Sequence, residues 1–143
     1  MTRIVLLSVS RIGMDPRVRR QGETLFGAGL RPIGVGIGPP VANSGITWPI
    51  HCLDIGGGLS RRAGTAARGA AAAAIPKLAG PAFWTSELAR DMHQRAVEAE
   101  PALVIANDWR TLPIAIRLLN EHGIPFVYDS HEMGVHEFAS RWW

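Results

Sequence analysis

One cysteine, one lysine and one tyrosine occur among the 143 residues of this chain, and the first two scarcities narrow what the protein can be. A lone Cys52 excludes an internal disulfide, so the fold is expected to hold by its core alone, in a reducing compartment. No apolar run reaches bilayer-spanning length, and no basic leader precedes a long apolar segment, so the expected location is cytoplasmic. With Lys77 the only lysine, the cationic groups are arginines, whose planar fork suits phosphate and carboxylate partners. Also missing are a Gly-x-Gly-x-x-Gly fingerprint after the first strand and the Gly-Lys-Ser/Thr of a phosphate loop, which argues against a dehydrogenase and a phosphate-loop enzyme. Aromatics do not interleave with the basic residues and no binding motif appears, so nucleic acid is not an expected partner.

What is present describes a globular domain. The hydrophobic share of 47% and charged share of 19% are ordinary, and a chain of this length buries roughly 70% of its unfolded surface in one core. The net charge of +3 is unevenly distributed: residues 1–77 carry ten basic and three acidic side chains, residues 78–143 five basic and nine acidic ones.

Hydrophobic patterning predicts alternating strands and helices. Arg3–Val9 is a near-continuous aliphatic run, as in a strand buried on both faces. Asp15-Pro16 opens a helix, Asp as N-cap and Pro in the first turn, with Val18, Gly22, Leu25, Phe26 and Gly29 on one face and Gly27 to Gly29 as its stop. Ile33–Ile37 and His51–Ile55 are the next strands. Gly56-Gly57-Gly58 forms a joint, and about 56–80 reads as a low-complexity insertion, Ala-rich, basic, disordered and broken by Pro76. A helix over Phe83–Ala99, a strand over 102–107, a helix from Thr111 to Gly123 and a strand over 124–129 complete the pattern. The expected fold is α/β, a Rossmann-like doubly wound parallel sheet with strand order near 3-2-1-4-5.

Candidate chemistry gathers where strands end. Strand 102–107 delivers Asn107 and Asp108, and strand 124–129 delivers Asp129, His131 and Glu132; ligands of open parallel sheets sit beyond those carboxyl ends. The first loop, with Arg11, Gly13 and Arg17, belongs beside them. Arg17, Arg19 and Arg20 crowd a helix N-terminus whose dipole repels cations, an arrangement that makes sense with an anion in front. Two look-alikes carry less. Gly34-Val35-Gly36-Ile37-Gly38 precedes Pro39-Pro40 and not a helix, so it is expected to be a strand end and turn. His131-Glu132-Met133-Gly134-Val135-His136 places its second histidine one position too late for the zinc motif, so no metal site is expected there or elsewhere.

Asn107-Asp108-Trp109 with Thr111-Leu112-Pro113, followed by Val127-Tyr128-Asp129-Ser130-His131-Glu132, resembles the N-terminal domain of family 4 glycosyltransferases of the two-domain GT-B fold. Asp15-Pro16-Arg17-Val18 with its helix and Gly29 resembles that family's first βα unit; the likeness covers about 3–37 and 100–138. The resemblance implies a retaining enzyme that moves a sugar from a nucleotide-diphosphate donor to an acceptor in the cleft between two Rossmann-like domains. It implies that this chain is the acceptor-side half, single and incomplete, with the donor domain absent. His131 takes the place of a histidine that contacts the donor sugar. Asp108 and Glu132 are the further catalytic candidates, and Arg11, Gly13, Arg17, Asn107 and Asp129 the substrate- or phosphate-binding ones. The first loop departs from the family's Gly-rich form at Arg11-Ile12-Gly13. No two glutamates here are separated by seven residues, as the family's donor half requires.

Implied partners are a sugar or lipid-linked acceptor and a donor-binding domain or partner chain, with peripheral contact to the inner membrane face through the basic 61–80 stretch as a further expectation. No cofactor is expected beyond the nucleotide-diphosphate sugar as substrate. The alternative is a non-catalytic Rossmann-like module that binds a small anion or a protein partner.

Overall fold

The computed structural model describes residues 1–39, 45–54 and 59–130. Five strands, β1 (Arg3–Arg11), β2 (Arg31–Ile37), β3 (Ile50–Leu53), β4 (Leu103–Ala106) and β5 (Phe126–Tyr128), form one sheet in the order β3-β2-β1-β4-β5. Every pairing is parallel. The expected α/β class and strand order are both found. β1 sits at the centre; the chain winds outward from it to β2 and β3, then returns to its other side for β4 and β5. The order reverses between β1 and β4, where an open sheet leaves its ligand crevice.

The aliphatic run of β1 is buried on both faces because its alternate residues feed two cores. Val5 and Leu7 join Val35, Val104 and Ala106 against Met92 and Ala96 of α4 (Glu87–Glu98) and Ile114, Ala115 and Leu118 of α5 (Leu112–His122). Leu6 turns the other way, toward Ile12, Trp48 and Val18 of α1 (Pro16–Gly27). A side chain of this size contributes roughly 1.5–3 kcal/mol when fully buried. The continuous hydrophobic pattern therefore reports a strand committed to two layers, not a membrane segment.

The second core depends on missing side chains. A Cβ on Gly22 would collide with the Trp48 indole, and one on Gly34 would lie 3.0 Å from both Trp48 Cζ3 and Ile12 Cδ1. A Cβ on Gly36 would stand 2.7 Å from Ser8 O and from Ile12 Cβ. Gly34 and Gly36 lie inside β2 and bring backbones together; they do not form a phosphate loop, in keeping with the strand reading of that segment.

Three local features differ from the sequence reading. Phe26 and Gly29 are exposed and leave the buried stripe of α1 to Val18 and Gly22; Gly29, at φ 78°, does serve the turn after the helix, as the expected stop requires. The single helix expected over Phe83–Ala99 is two, α3 (Ala79–Trp84) and α4, because Ser86 is extended (φ −71°, ψ 125°) and Arg90 Nη1 donates to the Trp84 and Thr85 carbonyls at 3.2 and 3.1 Å. The expected disordered insertion contains a regular helix, α2 (Leu59–Ala74), since alanine has the highest helix propensity of any residue; it ends ahead of Pro76, where a break was expected. Gly56, Gly57 and Gly58 lie outside the described residues.

Among the described residues, no helix is long and apolar enough to cross a membrane.

Candidate functional site

The carboxyl ends of β1 and β4 meet at Asp108. Its Oδ2 accepts from Ser8 Oγ at 2.7 Å and from the Val9 N–H at 2.9 Å, so the carboxylate ties the end of β4 to the end of β1. Asp108 also stands at the N-cap position of the turn that follows, where a carboxylate often caps. It makes no side-chain cap; its backbone carbonyl instead accepts from the Thr111 N–H and Thr111 Oγ1, which starts the short 3-10 turn before α5.

A relay of polar groups leads away from Asp108 toward α1. Ser8 Oγ lies 2.8 Å from Ser10 Oγ, and the Ser10 hydroxyl also reaches Asp15, the N-cap of α1. With Ser8 donating to Asp108, Ser10 has one proton to divide between Ser8 and Asp15. Asp15 Oδ1 accepts from the Arg17 and Val18 N–H groups at 3.0 and 3.4 Å, and Oδ2 meets Arg17 Nη2 at 3.4 Å. Burial pushes the Asp15 carboxyl up, but the Ser10 hydroxyl, these two N–H groups and the Arg17 guanidinium outweigh it. The net pKa lies below the ordinary 3.8.

Asn107 extends the ladder one residue past β4, its N–H donating to Leu7 O at 2.9 Å. Its side chain is fully buried, yet neither Oδ1 nor Nδ2 has a hydrogen-bond partner among the described residues. An unpaired buried amide costs about 1–3 kcal/mol, and such groups are rare enough in native structures to call for a reason. On the next strand, the Asp129 N–H donates to Ala106 O at 2.9 Å, and Asp129 Oδ2 accepts from Gln21 Nε2 of α1 at 2.8 Å. Asn107, Asp108 and Asp129 therefore share one sheet edge with Ser8, Ser10 and the start of α1.

The other expected residues are placed differently. β1 continues to Arg11 through a register shift after Ser8, so the loop to α1 is shorter than expected; Gly13 is buried within it and Arg11 is exposed. Arg17 pairs with Asp15 and, with Arg20, Gln21, Thr24, Leu25 and Ile105, lines an open groove of about 350 Å³. His131 and Glu132, and with them the near-zinc motif through His136, lie outside the described residues.

Ser8, Ser10 and Gln21 were missed from the sequence. Serine in a strand and glutamine on a helix carry no motif, and only the pairing of β1 with β4 shows that Ser8 and Asp108, a hundred residues apart, are partners. Comparison with family models, with curated proteins and with solved structures gives no match to this chain.

Proposed function

We propose that this chain is the acceptor-side domain of a retaining glycosyltransferase of GT-B architecture, working on a nucleotide-diphosphate sugar with a donor-binding half supplied elsewhere. The observation that carries the reading is that Asn107 and Asp108 follow β4 at the switch point between β1 and β4, with Asp129 following the neighbouring β5 at the same sheet edge. That crevice is where doubly wound folds bind ligands, and Asn107 lies at its edge with an amide that has no partner among the described residues. An acceptor hydroxyl needs a partner of that kind. Asp108, held rigid by Ser8 and Val9, orients the acceptor electrostatically, and His131 contacts the donor sugar. Retention without a protein nucleophile fits departure and attack on one face of an oxocarbenium-like sugar. The basic Arg17 and Arg20 end of α1 faces the donor's phosphates, and the arginine-containing α2 region meets an anionic membrane when the acceptor is lipid-linked.

The direct test is a titration of isotope-labelled protein with nucleotide-diphosphate sugars and candidate acceptors, read by amide chemical shifts. Shifts gathered at residues 8–20, 107–108 and 129 are expected. Saturating nucleotide sugar and acceptor that leave those amides unmoved would sink the reading. In a polypeptide joined to its donor half, His131→Ala should lower turnover by roughly 10²–10³-fold with the fold intact; unchanged turnover would remove that residue from the mechanism.

One observation favours a second reading. Asp108 Oδ2 and both Asp15 oxygens are already engaged within the chain, which suits a non-catalytic module that binds a small anion at Arg17 and Arg20. Shifts produced by phosphate alone, equal to those with nucleotide sugar and absent for any acceptor, would favour it.

A further inference from the structure

We propose that His93, Glu121 and His122 form a binding site for a first-row transition-metal ion, zinc foremost, which clamps α4 to the last turn of α5. The site lies toward the opposite end of the sheet from Asn107 and Asp108, because α5 runs back from the end of β4 and finishes at Glu121 and His122.

His93 Nε2 stands 3.6 Å from Glu121 Oε2, and His122 Nε2 stands 4.0 Å from the same oxygen. One ligand atom from each of the three residues lies within 4.8 Å of the other two. In a tetrahedral site with bonds of about 2.1 Å, neighbouring ligand atoms are about 3.4 Å apart. The His93–Glu121 edge is therefore already close to its metal-bound length. His122 has to swing inward, and its exposed side chain is free to do so.

The surroundings favour a shared cation over two ordinary ion pairs. His93 Nε2 is buried without a hydrogen-bond partner among the described residues, facing a carboxylate just beyond bonding distance. Trp84 meets the His93 ring edge-on at 5.7 Å and restricts its tilt. Arg117 Nε donates to Glu121 Oε1 at 2.6 Å, which fixes the carboxylate while leaving Oε2 turned toward the imidazoles. Hydrogen bonding to a ligating carboxylate is the usual support around a metal centre. Two imidazoles and one carboxylate select zinc, cobalt, nickel or copper over magnesium and calcium, which take oxygen donors. Three protein ligands leave a fourth position to water.

The test is a cobalt titration of the chelator-treated, full 143-residue chain, followed by visible absorption, with zinc as competitor and thermal melts in zinc or magnesium alongside. One equivalent of cobalt with the intense absorption of a tetrahedral ion is expected, displaced by zinc. Zinc should raise the melting midpoint by a few degrees and magnesium should not. His93→Ala, Glu121→Gln and His122→Ala should each weaken binding by roughly tenfold or more, while His51→Ala leaves it unchanged. Melts in chelator establish that each variant is folded; His122, being exposed, secures the test should His93→Ala unfold the protein. Absence of binding at a hundredfold excess of cobalt overturns the proposal. So does binding that survives all three substitutions, or that is lost instead in His136→Ala, which would put the ion at the other histidines.

Discussion

Asn107 stands where function and stability pull apart. Its amide is fully buried with no partner among the described residues, one residue past the strand that flanks the switch point. Leucine has a similar shape and no polar atoms, so Asn107→Leu removes the desolvation penalty and should stabilise the fold by about 1–3 kcal/mol, read as a higher midpoint in denaturant. The same variant should lose any ligand that needs the amide. A lower midpoint would mean that the amide is satisfied and that its role is structural. Asp15 behaves in the opposite sense, because its interactions are made. Its folded-state pKa lies below the unfolded value of 3.8, so its contribution to stability is present above that pH and is lost as pH falls through the folded value. Asp15→Ala should therefore destabilise the protein at pH 7 by about 1 kcal/mol through loss of the α1 cap. The gap to the unmodified protein should close as the pH falls below 3.8. Asn107 and Asp108 were legible as polar residues at a strand end. Which of them is spent on structure was not, since that depends on Ser8 and Val9 of a strand a hundred residues away.

Helix α1 shows how far element-level reading extends. Its start was legible, because Asp15-Pro16 acts locally through the N–H groups of Arg17 and Val18. Its buried face was only partly legible: periodicity placed Phe26 inward, and Phe26 is 45% exposed. Trp48, arriving from the segment before β3, takes the space beside Gly22 that the pattern assigned to no residue. Gly22→Ala gains up to about 1 kcal/mol in helix propensity but places a methyl into the Trp48 indole. We expect a net loss of roughly 1–3 kcal/mol, the usual range for overpacking. Gly27→Ala, at the end of the same helix with nothing within 4 Å, isolates the propensity term and should be neutral or stabilising. In a double-mutant cycle, Gly22→Ala should lose most of its effect once Trp48 is replaced by leucine. Strict additivity would show that the indole yields without strain. The break between α3 and α4 belongs to the same class, since Arg90 terminates α3 by reaching back to Trp84 and Thr85, and hydrophobic spacing carries no trace of that bond.

Across the whole molecule, stability is concentrated around the central strand. β1 pairs with β2 on one side and β4 on the other, and both cores draw their buried side chains from it. The strand order was legible because short β-α-β units with right-handed crossovers leave few alternatives. The helical state of α2 was not legible, because an alanine-rich stretch signals propensity without a hydrophobic face, and such a helix is decided by what it rests on. α2 rests mainly on α3 and the 3-10 turn Pro76–Leu78, adds no residue to either buried core among the described residues, and has no acidic side chain in its first turn. A 16-residue helix containing Gly64 and Gly69 is marginal on its own. It should therefore open locally, far below the free energy of global unfolding. Native-state hydrogen exchange should show α2 amides exchanging at least ~10³-fold faster than those of Val5, Leu7 and Val104, the factor given by about 4 kcal/mol of additional opening free energy. Trypsin should then cut first at Arg61, Arg62 or Arg68, and the nicked protein should retain the β1–β4 amide protection that holds Asn107 and Asp108 in place. Equal protection in α2 and β1 would mean that the helix folds with the sheet as one unit, and that the arginine-containing segment is part of the scaffold rather than an appendage to it.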